Sequence, residues 1–259
     1  MLYLNGDPLD ITRFPDLTTQ VWKLPEEFLS TGFAMVKWEF DQESEFLQLA
    51  QLKRLLDLHK IYTTLRMTYL PYGRQDKPIS NTSTFALTVF AELLNILKFD
   101  EVVIHDPHSS IALELIKNSR AIYPVEDVER VISLTGSDLL CYPDKGAVSK
   151  YTKIYDRPHI YGEKVRDQAT GNILSYQVVG DPKDKNVLIV DDLCDGGMTF
   201  KLLARDLLAA GAKEVNLFVT HGIFSKGLGP LFGSGIKRVF TSKGEAYRYQ
   251  DQIMYRRLS

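Results

Sequence analysis

The chain has 259 residues, of which 44% are hydrophobic and 25% charged, so it is long enough for one large or two ordinary globular domains. Its formal net charge of -2 and the lack of a long Lys/Arg run argue against a protein that binds nucleic acid by bulk charge. No apolar run reaches the length of a membrane span, and the first residues lack a signal-peptide pattern. Because the two cysteines have no metal-type spacing, we expect a cytoplasmic protein.

Short apolar runs alternate with longer amphipathic patterns, which predicts βαβ units and mostly parallel sheets. In chain order, the predicted elements are a strand at 33–38, a helix at 43–60, a strand at 61–70, a helix at 83–98, a strand at 101–105, a helix near 109–118, a strand at 121–125, a helix at 125–134, strands at 138–143, 153–156, 173–179 and 186–190, a helix at 200–212 and a strand at 214–221. The pattern divides weakly near residues 120–126, which indicates two domains.

Residues 187–200, VLIVDDLCDGGMTF, carry the most informative pattern in the chain. A run typical of a strand covered on both faces leads into Asp191 and Asp192, at the end of such strands where ligands bind. The pair Gly196 and Gly197 allows positive φ and turns backbone N–H groups toward the start of the next helix. The pattern predicts an anion site rimmed by carboxylates that suit vicinal hydroxyls or Mg²⁺, and a sugar phosphate satisfies both. The alternative is an ordinary Asp-Gly turn.

This stretch resembles the 5-phosphoribosyl 1-pyrophosphate (PRPP) motif of type I phosphoribosyltransferases and ribose-phosphate pyrophosphokinases. By that resemblance, Asp191 and Asp192 face the ribose 2- and 3-hydroxyls. The resemblance also implies a loop that wraps the 5-phosphate, formed by Asp195, Gly196, Gly197, Met198 and Thr199. The motif alone does not separate the two groups, of which one consumes PRPP and the other makes it.

A second segment, TYLPYGRQDKPIS at 68–80, favours the pyrophosphokinases. It resembles the family's segment that meets ATP, which transferases lack, and it implies ATP contacts for Arg74, Gln75 and Asp76. Arg74 is a fixed-charge fork suited to phosphate, and Gln75 both donates and accepts hydrogen bonds. The alternative is a polar loop that follows a strand.

The N-terminal region resembles the family less closely. Phe14 and Asp16 match the residues that touch adenine, which in the family come from a neighbouring subunit. Leu17 and Thr18 stand where the family has Gly-Glu. The adenine contact therefore stays open, as does the assembly, for which a hexamer, a dimer or another homo-oligomer is equally compatible with the sequence.

Three further segments follow in the family's order: VVIHDPHSS at 102–110, LLCYPDKGAVSKY at 139–151 and GEKVRDQATGN at 162–172. The first two imply metal-binding roles for Asp106 and His108, and for Asp144 a role in binding either metal or the ribose hydroxyl. The third implies that Lys164 and Arg166 are catalytic cations at the base of a mobile loop, where charge spreads over a transferring phosphoryl group. Taken one at a time, these segments also fit solvated loops.

The resemblance covers about residues 10–240 and implies two phosphoribosyltransferase-like α/β domains. The N-terminal domain, 1–122, would contact ATP, and the C-terminal domain, 123–259, would carry the PRPP loop, with its extreme C-terminus free to pack back on the first domain. The implied enzyme uses Mg²⁺ to transfer pyrophosphate from ATP to a ribose 5-phosphate acceptor, in nucleotide or NAD synthesis. Its partners would be small-molecule substrates, with no nucleic acid and no membrane. A PRPP-consuming transferase and a non-catalytic regulatory homologue are the alternatives.

The phosphate loop departs from the family's Asp-Thr-x-Gly-Thr pattern at two positions. Gly196 removes a hydroxyl, which costs about 1.5–3 kcal/mol if nothing replaces its hydrogen bond to a charged group. Met198 adds a bulky apolar side chain. We therefore expect either ribose 5-phosphate or an acceptor extended at its phosphate, such as ADP-ribose, with residues 220–235 lining the extension.

Overall fold

A computed structural model describes residues 1–24, 26, 31–166, 173–249 and 252–258 of the protein. The chain forms two compact units, Met1–Tyr123 and Pro124–Ser259, and each is built around a sheet with helices packed on it. The predicted α/β class with mostly parallel sheets is confirmed. Within the described ranges, no helix is long and apolar enough to cross a bilayer.

The first unit contains a six-stranded sheet in the order β2-β1-β5-β6-β7-β8 and a separate hairpin of β3 and β4. Its elements in chain order are β1 (Leu2–Leu4), β2 (Asp7–Pro8), β3 (Thr12–Arg13), β4 (Thr19–Gln20), β5 (Phe33–Trp38), α1 (Glu45–Leu58), β6 (Tyr62–Met67), α2 (Ala86–Ile96), β7 (Glu101–His105), α3 (Ile111–Leu115) and β8 (Ser119–Ile122). Strands β5 to β8 are parallel, whereas β1 is antiparallel to its two neighbours.

The predicted amphipathic face of α1 is confirmed, because Leu49, Leu52 and Leu56 are fully buried in the core of the first unit. The start of this helix is joined to the end of β5 by a hydrogen bond of 2.9 Å, which the Trp38 indole donates to Glu45. The carboxyl ends of the parallel strands are thereby held beside the first turn of α1.

The second unit contains an eight-stranded sheet in the order β11-β10-β9-β12-β13-β14-β15-β16. Its elements in chain order are α4 (Val125–Thr135), β9 (Leu139–Tyr142), α5 (Lys145–Tyr151), β10 (His159–Arg166), β11 (Ile173–Val179), β12 (Asn186–Cys194), α6 (Met198–Ala209), β13 (Glu214–Gly222), α7 (Gly229–Phe232), β14 (Ile236–Thr241), β15 (Gly244–Tyr249) and β16 (Gln252–Arg256). Strands β10, β9, β12, β13 and β14 are parallel, and the outer pairings are antiparallel.

The central strand β12 is covered on both faces, as its apolar run predicts. Val187 and Ile189 pack in the cluster that includes the buried face of α6, whereas Leu188 and Val190 pack in a second cluster with α4 and α5. A strand buried on both faces holds its backbone firmly, so the residues at its carboxyl end have fixed positions.

Several boundaries differ from the sequence predictions. Residues 153–156, predicted as a strand, form a turn after α5, and neither α5 nor β10 was predicted. Strand β12 does not stop at Val190 but continues to Cys194, because its pairing with β13 extends to Gly222. The C-terminal segment belongs to the second unit, where β16 pairs with β15 and Leu258 is buried in the core.

Candidate functional site

The carboxyl end of β12 presents the predicted pair of carboxylates. Asp191 and Asp192 lie inside the strand, with Asp191 in register with Val219 of β13, rather than beyond its end as the sequence predicted. Asp192 is buried and Asp191 is partly exposed, and the Asp192 N–H donates to Asp191 Oδ1 at 3.0 Å. The two adjacent acids therefore lie at the carboxyl end of a central strand, where a ligand would approach.

The turn from β12 to α6, residues 195–199, has the form of an anion-binding loop. Gly197 precedes the helix at φ 75°, and a Cβ at this position would lie 2.9 Å from Leu231 Cδ2, so only glycine fits. No side chain caps the start of α6 among the described residues. The first N–H groups of the helix thus stay available to an anion, which the helix dipole also favours.

The carboxyl groups of this β12–α6 loop are not fully satisfied by contacts within the protein. Burial raises the pKa of Asp191 well above its usual range, and the neighbouring charges of Asp192 and Asp144 raise it further. Asp195 Oδ1 is buried without a hydrogen-bond partner in the described part of the chain. Buried carboxyl oxygens are normally hydrogen-bonded or paired, so this loop is chemically suited to ligand hydroxyls or a cation.

The β9–α5 loop, residues 143–144, follows the neighbouring parallel strand β9, and its carboxylate is satisfied by contacts within the protein. Asp144 caps α5 by accepting a hydrogen bond of 3.0 Å from the Ala147 N–H. Lys164 Nζ lies 2.6 Å from the other oxygen of the same carboxylate. Burial alone would raise the pKa of Asp144, but the hydrogen bonds from Lys164 and Ala147 outweigh burial and lower the pKa.

The two predicted cations lie on β10, which forms an antiparallel hairpin with β11. Lys164 is in register with Tyr176, and Arg166 is the last residue of the strand. The rest of the predicted loop, 167–172, lies outside the described residues. The Tyr176 ring packs over Gly162, where a Cβ would lie 2.6 Å from Tyr176 Cδ1.

Tyr176 is a site residue that the sequence did not single out. Burial raises the pKa of this tyrosine, and the side chain of Thr199 at the start of α6 opposes that shift. The charges of Lys164, Asp144 and Asp191 also act on the tyrosine. These residues therefore form one neighbourhood at the carboxyl edge of the second sheet.

In the first unit, the predicted ATP segment forms a tight turn after β6. Tyr72 adopts a left-handed conformation at φ 62°, and its carbonyl accepts a hydrogen bond of 2.8 Å from the Gln75 N–H. Arg74 and Gln75 are exposed, and Asp76 is partly exposed. This turn presents a guanidinium and an amide to solvent on a defined backbone.

The predicted Asp-x-His segment follows β7 in the same unit. Asp106 is 1% exposed with φ 47°, and its N–H donates to the Ile122 carbonyl at 2.8 Å. His108, two residues later, is exposed. The histidine is accessible to a ligand, whereas the aspartate side chain is covered by protein.

The predicted adenine contacts lie on the turn between β3 and β4. Asp16 accepts hydrogen bonds from the Thr18 N–H at 3.0 Å and the Thr18 hydroxyl at 2.7 Å, and these bonds lower its pKa. Phe14 packs edge-on against Trp22, with their ring centroids 6.2 Å apart. Asp16 therefore helps to fold the turn itself, a role that the sequence comparison did not indicate.

Comparison with known proteins shows which proteins this chain is similar to. Residues 154–242 match the phosphoribosyl transferase domain model. The chain is 32% identical over 164 residues to a ribose-phosphate pyrophosphokinase of Pyrococcus abyssi, which covers 61% of this chain and 57% of that protein. It is 28% identical over 226 residues to a ribose-phosphate pyrophosphokinase of Pyrococcus furiosus, which covers 85% of this chain and 79% of the relative. The chain is thus similar to ribose-phosphate pyrophosphokinases over most of its length.

One solved structure has a similar fold. The phosphoribosylpyrophosphate synthetase of Mycobacterium smegmatis superposes with a TM-score of 0.73 at 22% identity, over 90% of this chain and 78% of that one. The α/β fold of this chain is therefore similar to the fold of that synthetase.

The structure brings together the predicted second-unit residues Asp144, Lys164, Asp191, Asp192 and Asp195, with the glycines and Thr199 of the loop. The first-unit residues lie on three separate turns after β3, β6 and β7. The sequence missed Tyr176, although the glycine at 162 that admits its ring is a usable signal. Among the residues that the structure describes, no three His, Cys, Asp or Glu side chains are grouped to hold a metal ion.

Proposed function

We propose that this protein transfers the β,γ-pyrophosphoryl group of ATP to the anomeric hydroxyl of a ribose 5-phosphate acceptor. In this reaction the acceptor oxygen forms a bond to the β-phosphorus, the bond between that phosphorus and the α,β-bridging oxygen breaks, and AMP leaves with the bridging oxygen. The hydroxyl proton passes to solvent. The activity of the named relatives supports this assignment.

The observation that carries the proposal is the β12–α6 loop. It combines two adjacent carboxylates, a left-handed glycine and an uncapped helix start, which match in turn the vicinal hydroxyls and the 5-phosphate of a ribose 5-phosphate. A simple metal or phosphate site would use only half of these groups. In the proposed complex, Asp191 and Asp192 accept hydrogen bonds from the ribose hydroxyls.

The proposed catalytic cations are Lys164 and Arg166. The charge of the transferring group spreads over its oxygens, so positioned cations stabilise the transition state more than the ground state. Lys164 is held by Asp144 before substrate binds, so an arriving pyrophosphate would compete with that carboxylate for the ammonium group. The proposed ATP contacts are Arg74, Gln75 and Asp76, with Phe14 and Asp16 at the adenine.

The donor set also fits Mg²⁺, which usually takes one or two carboxylates together with substrate phosphate oxygens. In the first unit, the proposed metal ligands are His108, which is exposed, and Asp106, which is buried. In the second unit, the proposed metal ligand is Asp144, whose carboxylate is paired with Lys164. When bound, the ion neutralises phosphate charge.

AMP release tests the proposal. Wild-type protein with ATP, Mg²⁺ and a ribose 5-phosphate acceptor should release AMP in step with the pyrophosphorylated product. The Asp192→Asn variant should lose most of this activity, because an amide cannot accept the hydroxyls as a carboxylate does. Consumption of PRPP with a nucleobase, without any release of AMP, would instead identify a transferase. No turnover in either assay would favour a regulatory homologue.

A second acceptor is favoured by the open side of the loop. A Cβ at Gly196 would meet only Lys226 Cγ within 4 Å, at 3.7 Å, and Met198 is 62% exposed beside it. This space suits an acceptor extended at its phosphate, such as ADP-ribose, whose esterified phosphate carries less charge. Homo-oligomerisation and a role in NAD synthesis belong to the same proposal.

Parallel assays with ribose 5-phosphate and ADP-ribose compare the two acceptors. We expect a higher kcat/KM for ADP-ribose, and the Gly196→Thr variant should shift the ratio toward ribose 5-phosphate by restoring the hydroxyl. The Gly196→Ala variant is the matched control, because it fills the same space without a hydrogen-bonding group. Equal or better turnover of ribose 5-phosphate by wild type would eliminate the extended acceptor.

A further inference from the structure

The segment after β13, residues 222–228, is fixed against the end of β12. The Cys194 carbonyl accepts hydrogen bonds from the Ile223 N–H at 2.9 Å and the Phe224 N–H at 3.1 Å. Phe224 is in the left-handed region at φ 50°, and its buried ring covers Gly222, where a Cβ would lie 2.1 Å from the ring. The Gly227 N–H donates to the Phe224 carbonyl at 2.7 Å, so the backbone on either side of residue 226 has a defined position beside the β12–α6 loop.

Lys226 extends from this segment over the β12–α6 loop. Its Cγ lies 3.7 Å from the point that a Cβ at Gly196 would occupy, so the aliphatic stem borders the space that the glycine leaves open. Lys226 is exposed, and among the described residues it has no acidic partner in an ion pair. Its ammonium group is therefore available to a ligand that sits on the loop.

The negative charge of the β12–α6 loop favours a nearby ammonium group. Asp191, Asp192 and Asp195 are all acidic, and the start of α6 supplies only about half a positive charge to offset them. Glycine at 196 offers no hydroxyl to a phosphate. A cation near a bound phosphate would therefore add to the attraction that the loop N–H groups provide and offset the charge of the nearby carboxylates.

We propose that Lys226 binds the phosphate group seated in the β12–α6 loop and replaces the hydrogen-bond donor that Gly196 lacks. The chemical class of the ligand, a sugar carrying a 5-phosphate monoester or diester, rests on the proposed function. A lysine ammonium on a flexible stem accommodates both forms, whereas a hydroxyl held on the loop serves a terminal phosphate best.

Isothermal titration of the full-length protein with ribose 5-phosphate, and separately with ADP-ribose, tests the proposal. The Lys226→Met variant keeps the length of the stem and should weaken binding about 10- to 100-fold, the usual effect of losing a charged hydrogen bond. The Lys226→Arg variant should restore most of the affinity. The matched control, Lys185→Met, removes an exposed lysine that precedes the opposite end of β12 and should bind as wild type does.

Two further readouts separate this inference from the proposed function. Raising the salt concentration should weaken binding by wild type more than by Lys226→Met, because only wild type has the ion pair. If wild type binds a sugar phosphate in a Lys226-dependent way but releases no AMP, the proposed function fails and the role of Lys226 stands.

The reverse outcome is equally clear. If wild type releases AMP, and Lys226→Met has an unchanged melting temperature and unchanged acceptor affinity, the inference is overturned and the proposed function stands. If wild type binds neither sugar phosphate, both are overturned.

Discussion

The β9–α5 and β12–α6 loops lie on neighbouring parallel strands of one sheet, yet they treat their carboxylates in opposite ways. Asp144 caps a helix and pairs with Lys164, and its pKa is lowered. Asp191 lies against Asp192 before an uncapped helix, and its pKa is raised. The first loop is stabilised by its own contacts, whereas the second is left unsatisfied, as expected of a site that trades stability for ligand binding.

The largest predicted effect, on kcat, comes from removing Lys164, the cation that pairs with Asp144 in the β9–α5 loop. Lys164→Ala should reduce kcat for AMP release by about 10²–10³-fold, the usual effect of losing a group that stabilises transition-state charge. The matched control is Lys145→Ala, which removes an exposed lysine paired with Glu163 in the same loop region. Steady-state kinetics measure both, and equal losses in the two variants would remove Lys164 from the catalytic machinery.

The next effect concerns the backbone of the second loop. Gly197→Ala should lower the free energy of unfolding by about 2 kcal/mol, because a left-handed conformation and a close approach to Leu231 both oppose a side chain. Gly196→Ala should change it by less than about 0.5 kcal/mol, since its Cβ has room. Urea unfolding measures both, and similar losses would contradict the geometry assigned to the loop.

The smallest effects should have opposite signs in the two loops. Asp144→Ala should lower stability by about 1 kcal/mol, mostly through the lost helix cap, because the partly exposed ion pair adds little. Asp191→Asn should raise stability at pH 7, because it removes a carboxylate whose charged form is disfavoured by burial. Melting temperatures should shift by about 3 °C per kcal/mol.

The stabilities of the Asp144 and Asp191 variants should depend on pH in opposite ways. The lowered pKa of Asp144 contributes stability above the ordinary carboxyl pKa of 3.8, and this is lost as the pH falls through that value and below. The raised pKa of Asp191 costs stability that appears as the pH rises above 3.8. The advantage of Asp191→Asn should therefore grow from pH 4 to 7, while the defect of Asp144→Ala should shrink from pH 5 to 3. Parallel pH profiles of the two variants would contradict the contrast.

Local sequence patterns predicted the β12–α6 loop better than the β9–α5 loop. The apolar run of β12, the acid pair and Gly197 are contiguous in sequence, so their arrangement depends on one strand and one turn. The contact between Asp144 and Lys164 joins residues that are brought together by the pairing of β9 with β10, a strand that periodicity did not indicate. Helix α5 was missed because its seven residues are too few to show a clear period.

The position of Lys226 could not be predicted for a similar reason. It depends on the two hydrogen bonds to the Cys194 carbonyl and on the left-handed Phe224, which the spacing of residues 220–235 does not reveal. The sequence did indicate that Gly196 departs from the pattern of the pyrophosphokinases. The structure adds that Lys226 lies beside the space that this glycine leaves open.

The most direct test of the central claim, that the β12–α6 loop binds the acceptor phosphate, is NMR with selectively ¹⁵N-glycine-labelled protein. Titration with ribose 5-phosphate should shift the amide resonances of Gly196 and Gly197. The resonance of Gly211, which follows the far end of α6, should stay in place. Binding that is saturated by titration calorimetry but leaves both loop glycines unmoved would contradict the account.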